Sequence, residues 1–102
     1  QMLDGYFCEV LPLMQDPKQI TALACTYNKW SDENRPGDPP TESLVKALNN
    51  AVMRLASTMS LKDVMALRSC KKLTLTADCV KAIQNRSLFL ETQKLRDYRV
   101  GR

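Results

Sequence analysis

The sequence predicts an all-α fold, a small bundle of four to five helices with one proline-rich loop. Three observations carry that prediction. Apolar residues recur at helical spacing over most of the chain, only 3 of 102 residues are glycine, and residues 31–40 form one conspicuous break. With 44% hydrophobic residues the chain has material for one compact core, so residues 1–102 are expected to form a single helical domain.

The first element is expected over residues 2–14, where Leu3, Phe7, Val10 and Met14 share a stripe with Met2, Tyr6 and Leu13 beside it. Pro12 should stop or kink that helix near Val10, because proline lacks the amide and clashes one turn back. Asp16-Pro17 has the form of an N-cap followed by proline in the first helical position. It should open a second helix over roughly 17–30, with Ile20, Leu23, Ala24 and Tyr27 on its stripe and Trp30 near its end.

Residues 31–40, SDENRPGDPP, hold three of the five prolines and no apolar anchor, which predicts a surface loop rather than a domain boundary. The strongest helix is expected over 41–59. Thr41 can cap it, Glu42 suits its positive end, and Leu44, Val45, Leu48, Val52, Leu55, Ala56 and Met59 form one stripe. That stripe is long enough to serve a second subunit, which would make a homodimer.

Ser60 and Asp63 have capping-box spacing ahead of a short helix reaching about residue 69, with Leu61, Val64 and Met65 apolar. KKLTLT then alternates like a strand, but no second strand is available to pair with it, which predicts an extended connector. Thr76 should start the last helix, with Val80, Ile83 and Leu90 on one face and Ser87 interrupting it.

Cys8, Cys25, Cys70 and Cys79 are an even number with no C-x-x-C pair. The absence of histidine excludes mixed Cys/His zinc sites, and the uneven gaps argue against a four-cysteine site. If the first two helices form a hairpin hinged at Asp16-Pro17, Cys8 and Cys25 lie equally far from the hinge, while Cys70 and Cys79 flank the connector. Two disulfides between chain neighbours, Cys8–Cys25 and Cys70–Cys79, are therefore expected, and with them a periplasmic or secreted setting. A start at Gln1 without a basic-then-apolar leader fits both maturation and trimming, and decides nothing.

The missing histidine also removes Ser-His-Asp and Cys-His catalysis and the commonest neutral-pH base. The carboxylate neighbours Asp32/Glu33 and Asp4/Glu9 are better read as solvated surface. Three glycines cannot build a phosphate cradle. Asn85-Arg86-Ser87 matches a glycosylation acceptor but falls inside a helix. No catalytic set, cofactor or metal ligand set is expected, and no run of about 18 apolar residues suggests a membrane span.

Charge is unevenly spread. Residues 1–50 carry four basic and seven acidic side chains, whereas residues 51–102 carry eleven and four. That asymmetry fits either an acidic partner for the basic half or attraction between halves of one fold.

The expected function is a protein-binding module, most plausibly an inhibitor of, or immunity protein against, a partner enzyme or toxin. Contacts are expected on Trp30, Asp32, Glu33, Asn34 and Arg35, since a loop fixed by helices at both ends loses little entropy on binding. One rival is a nucleic-acid-binding or regulatory domain using Lys71, Lys72, Lys81, Arg86, Lys94, Arg96, Arg99 and Arg102. Only Phe89 and Tyr98 interleave with these, so a stacking platform is lacking and nucleic acid is the weaker expectation. A second rival is a carrier of apolar ligands lined by Met2, Met14, Met53, Met59 and Met65.

Overall fold

A computed structural model describes residues 2–100, with side chains described over 3–97, and every regular element there is helical. Helix α1 spans Met2–Val10 and passes into a 3-10 turn, Leu11–Leu13, where Pro12 occupies the first turn. Proline therefore ends the α-helix where the sequence requires. Helix α2 spans Pro17–Asn34, capped by the Asp16 carboxylate, which accepts from the Lys18 amide at 2.9 Å.

Helix α3 spans Glu42–Leu55 and continues as a 3-10 turn, Ala56–Thr58. Helix α4 spans Leu61–Arg68 behind a complete capping box: the Ser60 hydroxyl accepts from the Asp63 amide and the Asp63 carboxylate accepts from the Ser60 amide. Helix α5 spans Ala77–Val100 and runs unbroken past Ser87.

Helix α3 is the central element, packed against α1, α2 and α5, while α4 joins α2 and α5 on the other side. Its buried stripe of Leu44, Leu48, Ala51 and Val52 meets Phe7, Leu11, Ile20, Ala24, Tyr27, Met59, Val64 and Ile83 in one core. Most of the stripe read from the sequence, Leu44, Leu48, Val52, Ala56 and Met59, is buried inside the protomer, with Val45 and Leu55 half-buried.

The connector between α4 and α5 is extended, and side-chain amides stand in for the missing partner strand. Asn49 of α3 donates to the Thr74 carbonyl (3.1 Å) and accepts from the Thr76 amide (2.7 Å), and Asn28 of α2 accepts from the Lys72 amide (2.8 Å). Thr76 then caps α5 by accepting from the Cys79 amide.

The end of α2 and the pairing of the cysteines differ from what the sequence predicts. The second helix does not stop at 30 but runs to Asn34. The stop is set by Pro36, which bars the residue before it from helical geometry, and not by the polarity of residues 31–34. Ser31, taken as loop, is buried.

The cysteines are also not joined as chain neighbours. All four are free thiols, and the sulfur beside that of Cys25 belongs to Cys70, at 3.8 Å. The expected hairpin register fails because α1 packs chiefly on α3. Cys70 and Cys79 part company because the first faces α2 and the second donates to the Asn49 carbonyl of α3 at 3.2 Å.

Candidate functional site: a clamped turn at the end of helix α2

Residues 30–41 form an exposed tip whose backbone is held from beneath. Past α2, the Asp38 amide donates to the Arg35 carbonyl at 3.1 Å, closing a turn with Pro36 second and Gly37 third. Gly37 has φ +87°, which L side chains rarely adopt, so this pattern matches a type II turn and requires glycine there. The Arg35 amide closes the helix end by donating to the Ser31 carbonyl at 2.8 Å.

The first clamp is Asp4. Although α1 offers it as one of several polar residues, it lies at i, i+3, i+7 spacing with Phe7 and Leu11 and is only 1% exposed. Its Oδ2 accepts from the Tyr27 hydroxyl (3.2 Å) and from the Thr41 amide (3.0 Å), and its Oδ1 lies 3.7 Å from Nη1 of Arg35. Burial acts to raise its pKa, yet the bonds from Thr41 and Tyr27 and the Arg35 charge outweigh burial and hold the carboxyl below the usual range. Burial, and then the bond to Asp4, push the Tyr27 hydroxyl up to about 12.

The second clamp is Lys72 of the connector. Its Nζ donates to the carbonyls of Arg35 (2.9 Å) and Asp38 (3.1 Å), the two ends of the turn. An ammonium shared between these carbonyls fixes the turn against the α4–α5 connector, while Asp4 fixes it against α1 and α3.

These contacts sort the five expected contact residues. Arg35 is turned inward, its side chain 21% exposed, paired with Asp4 and lying 6.0 Å from the Trp30 ring. Asn34 donates to the Trp30 carbonyl at 2.9 Å and so completes the helix end. Trp30 is half-buried, the last ring of a row running Tyr6, Phe7, Tyr27, Trp30. Asp32 and Glu33 are exposed to solvent, and so is Asp38, whose carboxylate lies 3.8 Å from Nε of Arg35. The outward chemistry of the tip is therefore three carboxylates around a fixed proline turn.

Sequence reasoning missed Asp4 and Lys72, the residues that hold the tip. The spacing of Asp4 with Phe7 and Leu11 was the available signal; nothing in the sequence marks Lys72 apart from its neighbours. Asp4, paired in the sequence with Glu9 as solvated surface, is instead buried, whereas Glu9 is exposed.

The rivals fare differently on the described surface. Of the basic residues named for phosphate contacts, Lys72 is engaged at the turn, and Arg86 donates from Nε to the Met59 carbonyl (2.7 Å) while lying 5.3 Å from the Phe89 ring. The side chain of Arg99 and all of Arg102 lie outside the described residues, as do the side chains of Met2 and Tyr98. The four methionines with described side chains do not converge: Met59 is in the core, Met14 half-buried, Met53 and Met65 on the surface.

A groove of about 440 Å³ between α3 and the start of α5 is lined by Val45, Lys46, Asn49, Met53 and Thr76, among others. Among the described residues, no group of three or more metal-ligating side chains is placed to hold an ion, and no helix is long and apolar enough to cross a membrane. Comparison with protein-family models, curated proteins and solved structures finds no match to this chain.

Proposed function

We propose that this protein is a non-catalytic binding module that engages another protein through the acidic tip formed by Asp32, Glu33 and Asp38, with the edge of Trp30 beside them. The observation that supports this most is the double clamp. An exposed turn that is tied to α1 and α3 by Asp4 and to the connector by Lys72 meets a partner with its conformational entropy already lost. Asp38 on the clamped turn, with Asp32 and Glu33 on the last turn of α2 behind it, suits a positively charged cleft, as an inhibitor or immunity protein acting on an enzyme or toxin would require. A periplasmic or secreted setting belongs to the same proposal.

The test uses the full chain as bait against soluble extract, followed by kinetics on the captured and identified protein. Reversing the tip (Asp32→Lys, Glu33→Lys, Asp38→Lys) is expected to slow association about 10-fold and to flatten its salt dependence, as surface charges act mainly on encounter. The captured protein, if an enzyme, should lose activity in the complex. Association unchanged by the reversal, or tight salt-sensitive binding of duplex DNA by the unaltered chain, would overturn the proposal.

A further inference from the structure

We infer that Cys25 and Cys70 form a cystine when the protein meets a disulfide oxidant, tying helix α2 to the connector that holds the turn. Three features point to this pair. The sulfurs are 3.8 Å apart across a separation of 45 residues, in van der Waals contact and short of bonding distance by on the order of 2 Å. Cys70 lies one residue beyond the cap of α4, in irregular backbone that can move more easily than a helix interior. No other two of the four sulfurs are in such contact: Cys79 donates to the Asn49 carbonyl at 3.2 Å, whereas Cys70, which also reaches the Ala66 carbonyl at 3.4 Å, keeps the Cys25 sulfur beside it.

The order of events follows from exposure. Cys25 is half-buried and Cys70 is buried; burial and the adjacent Cys25 sulfur push the Cys70 thiol up to about 12. Cys25, the more accessible sulfur, therefore reacts first with a low-molecular-weight disulfide such as oxidised glutathione. A sulfur–sulfur bond forms to Cys25 and one thiol is released. Cys70 then gives up its proton and attacks the Cys25 sulfur, expelling the second thiol. Two protein thiols are oxidised and one disulfide is reduced to two thiols, so electrons and protons balance.

The consequence reaches the tip. Cys70 stands two residues before Lys72, which holds the Arg35 and Asp38 carbonyls, and Cys25 stands three residues before Asn28, which holds the Lys72 amide. A bond between the two sulfurs fastens the connector to α2 beside those contacts. This inference does not rest on the acidic tip being a binding surface, and its test is separate.

Folded protein is incubated with excess oxidised glutathione, alkylated, digested with trypsin and mapped. The expected product is lighter by two hydrogens, with residues 19–29 linked to residues 69–71, and its melting temperature rises by roughly 10 °C. Cys8→Ser retains the cross-link, whereas Cys25→Ser and Cys25→Ala lose both cross-link and rise. Four alkylatable thiols after oxidation, a stable glutathione adduct on Cys25, or a cross-link from residues 1–18 to 19–29 would each overturn the inference.

Discussion

At the residue scale, Asp4 has the largest consequences. A carboxylate on the core side of an amphipathic helix is destabilising unless it is compensated, and here the Tyr27 hydroxyl and the Thr41 amide donate to its Oδ2 while the Arg35 guanidinium lies 3.7 Å from Oδ1 as an ion pair. The sign of its pH effect follows from its lowered folded pKa. Its stabilisation is present above the unfolded value near 3.8 and disappears as pH falls through the still lower folded value. Asp4→Asn is therefore expected to lose about 2–3 kcal/mol at pH 7. In thermal melts from pH 7 to pH 2, the gap between wild type and variant should close as acid protonates the wild-type carboxyl. A gap that stays constant would mean that the Asp4 charge does not hold the tip.

At the element scale, the helices were legible in the sequence and their partners were not. Pro12, Asp16-Pro17, Thr41 and the Ser60/Asp63 box each act locally, through a missing amide or a capping bond, so the chain announces them without tertiary information. The end of α2 was legible too, since Pro36 fixes it, but the polarity of residues 31–34 obscured it. Cysteine pairing was not legible, because it depends on which helix packs on which, and α1 chose α3 over α2. Of the site, the exposed Asp32 and Glu33 could be read directly, while the inward turn of Arg35 depends on Asp4, 31 positions earlier.

The connector, too, reaches beyond its own length. Lys72→Met keeps the aliphatic stem but removes both bonds to the turn. We expect it to cost about 1 kcal/mol, a fall of roughly 5 °C in melting temperature. Differential scanning calorimetry checks this, and an unchanged melting temperature would show that the ammonium is merely resting on the turn.

At the scale of the whole molecule, the charge asymmetry is not spent on internal pairing among the described residues. Both ion pairs there, Arg35–Asp4 and Arg35–Asp38, lie within the first half of the chain. The surface thus keeps an acidic tip on one segment and basic side chains along another. Helix α5, about 36 Å long by helical rise, adds to the elongated outline of 53 × 25 × 22 Å. Residues 91–97 of α5 are exposed, and Leu88, Phe89 and Leu95 stand 64%, 56% and 68% open on it.

The central claim is that the backbone of residues 35–41 is rigid although residues 36–39 face solvent. Native-state hydrogen exchange measures this directly at the amides of Asp38 and Thr41, which donate to the Arg35 carbonyl and the Asp4 carboxylate. The account predicts exchange at least about 100-fold slower than in an unstructured peptide, despite the exposure of the surrounding residues. Exchange at free-peptide rates would contradict it.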